Sequence, residues 1–156
     1  MINELKNRFE YNQDTGKFID IESNKESGWI TDNGYRIIGF KGTKYRAHRL
    51  AWLIIYGEFP ENDIDHINGN RDDNRISNLR SVTRSENLKN QKIRSDNSSG
   101  VIGVSWGRSN SKWHVRIKSD VKYLYLGSFV DFFEACCVRK SAEVFYGFHV
   151  NHGRAV

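Results

Sequence analysis

The stretch from Asp65 to Asn90, DHINGNRDDNRISNLRSVTRSENLKN, constrains the chain more than any other, because it allows only one order of local structure. Asp65 and His66 follow the apolar Ile64, and a run of Asn, Asp and Gly leads on to Asn78-Leu79-Arg80-Ser81-Val82-Thr83. Asn, Asp and Gly suit turn backbone, so the run reads as a loop and the six residues after it as a return strand. Thr83 and Glu86 stand at capping-box spacing, which starts a helix with Asn87 in its first turn. The stretch therefore predicts strand, loop, strand, helix.

That order gathers a carboxylate, an imidazole and several amides. Carboxylate and amide oxygens are hard ligands suited to Mg²⁺, Mn²⁺ or another divalent cation, which takes few protein ligands and completes its shell with water and phosphate. Asp65 and Asn87 are the candidate ligands of one such ion, with Asn74 and Asn90 as competing amides. His66, with an ordinary pKa near ~6.5, is the candidate base that takes a proton from water. An Asp-His pair alone is common in solvated turns, so the signal lies in the whole spaced set.

The set resembles the HNH endonuclease family, in the H-N-N variety found in phage intron nicking homing endonucleases, whose core is a ββα-metal unit. The resemblance implies Asp65 as metal ligand, His66 as general base, Asn78 as the middle Asn that braces the loop and orients the histidine, and Asn87 as second metal ligand. Asn87 stands where many members carry a third histidine. An amide holds metal more weakly, so firm binding is expected only with DNA phosphate present.

Upstream, residues 1 to 45 read as two β-hairpins shielding this core, with turns at Asp14-Thr15-Gly16, Asp32-Asn33-Gly34 and Lys41-Gly42-Thr43. RAHRLAWLIIY, from Arg46 to Tyr56, places Ala47, Leu50, Ala51, Ile54 and Ile55 at helical spacing before a stop at Gly57. His48 and Arg49 resemble the His-Arg pair that often opens this helix in HNH proteins. His48 is expected to be a packed or hydrogen-bonded residue, and Arg49 to hold a phosphate or a surface ion pair.

Downstream, three short strands are expected at 101–106, 112–118 and 122–127, followed by a helix capped by Asp131 and Glu134 with Ala135, Val138, Ala142 and Phe145 as its apolar stripe. In the middle strand Trp113, Val115 and Ile117 point one way and Lys112, His114, Arg116 and Lys118 the other. The helix should cover the apolar face and leave the cationic one free, a shape able to enter a major groove. The GVSW, KWHVRI, YLYLGSF and helix motifs over residues 97 to 152 resemble the AP2 DNA-binding domain. This implies DNA contacts by Arg108, Arg116, Lys118 and Tyr125, with Ser105 and Trp106 as weaker candidates. Trp113 is expected to pack in the core and Tyr123 in the core or at its rim, and His149 and His152 to be solvated.

The charge pattern points the same way. The net charge is +5, and residues 80 to 118 carry nine Lys or Arg, Arg84, Lys92 and Arg94 among them, against Glu86 and Asp96. Such a distribution favours nucleic acid. The 156 residues, 38% hydrophobic, suit two small modules of an α+β protein. These are an HNH domain over 1–90, a polar linker over 91–98 and an AP2-like domain over 99–156. Adjacent Cys136 and Cys137 suit neither an ordinary disulfide nor a zinc site and are expected to pack in the helix. No apolar run approaches the ~20 residues of a membrane span, and no signal-peptide core precedes the fold. The expectation is a cytoplasmic protein, phage-encoded and acting in a bacterial host.

The expected activity is metal-dependent hydrolysis of double-stranded DNA, by nick or double-strand cut, in a monomer or homodimer. Two other readings remain. One is a catalytically inactive, sequence-specific DNA-binding protein. The other is an RNA-binding or RNA-cleaving protein, for which only Tyr125 and Trp106 offer stacking positions.

Overall fold

The computed structural model describes residues 1–119 and 122–154, which form a mixed α+β protein of two compact units, Met1–Asn87 and Leu88–Val156. Among the described residues no helix is long and apolar enough to cross a membrane.

The first unit opens with helix α1 (Ile2–Arg8), which the sequence pattern did not announce. Strands β1 (Phe9–Asn12), β2 (Lys17–Asp20) and β3 (Lys25–Glu26) form one antiparallel sheet. Strands β4 (Trp29–Ile30), β5 (Arg36–Phe40) and β6 (Thr43–Arg46) form another. The two expected hairpins are thus each extended by a short third strand. Helix α2 (Ala47–Tyr56) ends at Gly57, whose φ of 87° lets its N–H reach the Leu53 carbonyl at 3.0 Å. Ala47, Leu50 and Ala51 are buried as expected and Ile54 packs against the core, but Leu53 is buried while Ile55 is 41% exposed. Leu5, Phe9, Phe18, Ile38 and Leu50 fill the core, which Ile64 and Leu79 join from the strands that follow.

Strand β7 (Asp63–His66) pairs antiparallel with β8 (Leu79–Val82), setting Asp65 opposite Arg80 and His66 opposite Leu79. Helix α3 (Arg84–Leu88) follows at once. Its start is a reciprocal capping box: the Thr83 N–H donates to the Glu86 carboxylate at 2.8 Å and the Glu86 N–H to the Thr83 hydroxyl at 3.3 Å. Strand, loop, strand and helix stand in the expected order.

In the second unit β9 (Val104–Gly107), β10 (Lys112–Lys118) and β11 (Tyr123–Phe129) form an antiparallel sheet with β10 central, and α4 (Phe132–Phe145) packs on it. The expected turn between β10 and β11 includes residues 120 and 121, outside the described residues. Val115 and Ile117 are buried while Lys112, Arg116 and Lys118 are exposed, as the alternation predicts. A bulge at Leu126 shifts the register between Val115 and Arg116, setting Arg116 opposite Tyr125 and Lys118 opposite Tyr123. Gly103, at φ 80°, is the only residue type that fits its place, since a Cβ would lie 2.3 Å from the Arg116 carbonyl oxygen.

Three expectations about this unit are corrected. Phe145 is 82% exposed; Ala135, Arg139 and Glu143 are the buried residues of α4, because Arg139 is neutralised by Glu143 at 3.0 Å and donates to the Arg116 carbonyl at 2.9 Å. His152 is buried rather than solvated, its ring 4.7 Å from Phe148 and its Nε2 3.4 Å from Arg139. Tyr123 is 71% exposed, beside Lys118, whereas Trp113 packs on Val115's side as expected. Cys136 is half-buried and Cys137 exposed, both as free thiols. The polar stretch after Asn90 is tied into the unit, with the Ile93 N–H donating to the Arg154 carbonyl at 3.0 Å and the Gly153 N–H to the Gln91 carbonyl at 2.8 Å.

Candidate active site

The Asn- and Asp-rich loop between β7 and β8 is held by its own side chains. Asn78 accepts from the Asn68 N–H at 3.0 Å and donates to the Asp73 carbonyl at 2.8 Å, closing the loop across its base. Asn68 and Asn70 accept from backbone N–H groups two residues on, at 2.8 and 3.1 Å. Polar residues can therefore be buried here: Asn74 and Asn78 are 1% and 7% exposed.

The first sheet also grips this loop. Tyr11 donates its hydroxyl to the Asn74 carbonyl at 2.7 Å, and the Ile76 N–H reaches the Gln13 carbonyl at 3.3 Å. Gly16 makes the approach possible, because a Cβ there would lie 2.4 Å from the Arg75 nitrogen. The N-terminal sheets, expected only to shield, thus help to build the site.

His66 is 4% exposed. Its Nε2 lies 3.5 Å from the Asn74 Oδ1, and its ring meets His48 edge-on at 5.0 Å between centroids. Burial lowers the His66 pKa, an effect that the Asn74 amide and Asp65 oppose. Burial, with His66, Arg46 and Arg49 adding to it, pushes His48 down to about 3. Both imidazoles are therefore neutral at pH 7 and can accept a proton. His48 Nδ1 is buried and, among the described residues, has no hydrogen-bond partner.

A pH dependence of stability follows. A histidine with a depressed folded pKa binds its proton more readily when unfolded, so its contribution is complete above about 6.5 and is lost as pH falls toward the folded value. For His48 the window is about 6.5 down to about 3, and for His152, pushed to about 4 chiefly by burial, about 6.5 down to about 4. Urea unfolding of the chain is expected to show a lower midpoint at pH 5 than at pH 7.5, and His48→Phe to show a smaller drop. A midpoint flat with pH rules this out.

Asp65 is 7% exposed and accepts two hydrogen bonds from Arg80 on one oxygen, at 3.0 and 2.8 Å. Two residues back on the same strand face, Asp63 accepts from the Asn87 amide at 3.0 Å and pairs with Arg84 at 3.2 Å. Those partners, Asn87 first, hold the Asp63 carboxyl below its usual range. With its nitrogen donated to Asp63, Asn87 keeps its Oδ1 as the acceptor end of the side chain. Among the described residues no three His, Cys, Asp or Glu side chains gather to hold a metal. Asp65 and Asn87 offer a carboxylate and an amide oxygen, donor types that suit a hard cation keeping waters and taking phosphate oxygens, while the hydrogen bond the structure shows for Asn87 is to Asp63.

The other expected contacts are distributed as follows. Arg49 donates to the Pro60 carbonyl at 3.1 Å and lies 5.8 Å from the Phe59 ring. Arg84 is paired with Asp63, and Arg94 with Asp96 at 2.8 Å; Lys92 and Arg108 are exposed. Arg116, Lys118 and Tyr125 share the outer face of the second unit's sheet, where the Tyr125 hydroxyl is 3.0 Å from His114 Nδ1. Trp106 pairs with Trp113 and so belongs to the opposite face. Sequence reasoning did not find Tyr35, whose ring lies 5.5 Å from His48 and 6.1 Å from His66. Only the turn at Asp32-Asn33-Gly34 hinted at where it sits.

Comparison with known proteins bears on this arrangement. Residues 45–89 match a family model described as HNH endonuclease. DNA endonuclease I-HmuI of Bacillus phage SP01 is 36% identical over 104 residues, 63% of this chain and 57% of that protein. Protein 3.8 of Escherichia phage T7 is 33% identical over 78 residues, 49% of this chain and 64% of that protein. The chain thus spans less than two thirds of the length of either relative. A solved structure of the HNH homing endonuclease I-HmuI, concerning its DNA binding and cleavage, superposes with a TM-score of 0.50 at 26% identity, covering 97% of this chain and 91% of that one.

Proposed function

We propose that this chain, whose residues 45–89 form an HNH endonuclease domain, hydrolyses phosphodiester bonds of double-stranded DNA with the aid of a divalent cation. The observation that carries the reading is His66: a buried, neutral imidazole on β7, next in sequence to the buried carboxylate of Asp65 and lying within the 45–89 stretch that matches the HNH endonuclease model. His66 takes the proton of the attacking water, and Asn78 keeps the loop closed so that the imidazole holds its orientation. Asp65 and Asn87 would hold the cation, with Asp63 fixing the Asn87 amide. When bound, a cation such as Mg²⁺ or Mn²⁺ stabilises charge on the phosphate and the leaving oxygen. One such site cuts one strand, so a monomer nicks, and a double-strand break requires a second protomer or a second binding event. In the second unit, the outer sheet face with Arg116, Lys118 and Tyr125 binds the duplex in the AP2 manner, helped by Arg108, Lys92 and Arg94.

One observation favours the second reading, an inactive DNA-binding protein: Arg80 already occupies an oxygen of Asp65. Arg80→Met separates the two. Removing the guanidinium from a 7% exposed carboxylate is expected to cost about 1–2 kcal/mol, a value tempered by Arg80's own exposure. If Asp65 is a ligand, added Mg²⁺ or Mn²⁺ takes over the compensation and raises the melting temperature of the variant more than that of the native chain. Equal shifts argue against Asp65 as a ligand. The activity itself is tested by nicking of supercoiled plasmid with Mg²⁺ or Mn²⁺, and an inert native chain that still binds duplex overturns the nuclease reading.

A further inference from the structure

Three rings meet inside the first unit: His66 on β7, His48 on α2 and Tyr35, which precedes β5. Two guanidinium groups lie on the Tyr35 ring, Arg46 at 4.5 Å and Arg71 at 4.8 Å from its centroid. Arg46 ends β6, while Arg71 belongs to the loop after β7 and donates to the Asn33 carbonyl at 2.9 Å. Remote segments thus deliver two like charges to one ring, a single ring's distance from His66. Arg36, Arg80 and Arg84 in the same unit are paired with carboxylates. Arg46 and Arg71 are exposed and, among the described residues, carry no ion pair.

A cation–π contact at an exposed site is worth only about 0.5–1 kcal/mol and neutralises no charge. The one carboxylate that feels the Arg46 charge, Asp63, is bonded to Arg84 and Asn87 rather than to Arg46, and a guanidinium fork matches phosphate oxygens in both geometry and charge. Both positive fields also reach the imidazoles, Arg46 acting on His48 and Arg71 on His66.

We infer that Arg46 and Arg71, carried on the Tyr35 ring, form a clamp for a backbone phosphate of the DNA strand presented to His66. The clamp rests on the nuclease reading but is tested apart from it. Duplex affinity of the full chain is measured against salt in a His66→Ala background, where the DNA stays intact. Each phosphate contact contributes about 0.9 to the slope of log affinity on log salt. The Arg46→Gln/Arg71→Gln double variant is expected to lower the slope by about 0.9, the share of the one phosphate held, and each single variant by no more than that. Arg46→Lys/Arg71→Lys, which keeps the charges, restores the slope and guards against a folding artefact. With His66 intact, the double Gln variant is expected to lose about 10²-fold in kcat/KM for nicking. Tyr35→Leu, which removes the ring but neither charge, is expected to lose cleavage while keeping most of the slope. If the double Gln variant, folded by its urea curve, matches the parent in both slope and cleavage, the clamp is wrong and the nuclease reading stands. If the native chain cuts no duplex yet the slope of the double Gln variant falls by about 0.9, the clamp stands and the nuclease reading fails.

Discussion

His66→Ala is expected to lower plasmid nicking by about 10²- to 10⁴-fold, the range that a positioned general base supplies, while duplex affinity stays within about twofold. The separation arises because the imidazole is 4% exposed and packed against His48 and Asn74, so it has little surface to give to DNA binding. Because burial lowers its pKa, His66 favours the neutral, basic form. The acid limb of its rate profile is therefore expected below the ~6.5 of a free histidine. His66→Gln, closer in volume, should be as inactive as His66→Ala and better folded. Retention of more than a tenth of native nicking by both variants would assign the proton transfer elsewhere, with His48 the first group to test.

Arg139→Met should be the most destabilising single change in the second unit. Arg139 is 2% exposed, and removing it takes away the 3.0 Å partner of the Glu143 carboxylate and the donor to the Arg116 carbonyl on β10. Breaking a buried pair from one side costs about 3–5 kcal/mol, and Lys140, still 2.8 Å from Glu143, brings the expectation to the lower end. Arg139→Met/Glu143→Leu removes both charges and should recover most of the loss. Hydrogen exchange of the β10 amides in urea reads out this unit separately, which matters because two compact units need not unfold together. A double variant no more stable than Arg139→Met would mean that the ion pair is not the source of the effect.

The same two sites show how far the sequence reached. The β7, loop, β8 and α3 order was legible because each signal was local: turn residues in the loop, Thr83 and Glu86 three apart, Gly57 closing α2. The alternation of β10 was legible for the same reason, since a strand sorts its neighbours by parity. Arg139 was missed because arginine ranks as a surface residue until a partner one helical turn away and a carbonyl on another strand neutralise it. Phe145 was misplaced for the complementary reason: an aromatic side chain near a helix end reads as core, yet here it is 82% exposed, with no described element of its own unit covering it.

The sequence by itself determined which chemistry is available, namely Asp65, His66, Asn78 and Asn87 at one spacing on a strand, loop, strand and helix. It also determined the cationic face that Arg116 and Lys118 share, because side-chain parity along a strand is a local property. Only the tertiary structure decided that His66 is desolvated, that Tyr11 and Gly16 hold its loop, and that Tyr35 stands beside it with Arg46 and Arg71. Those contacts join residues far apart in the chain, where the electrostatics depend on burial and on unlike elements packing together. Neither leaves a periodic trace in sequence.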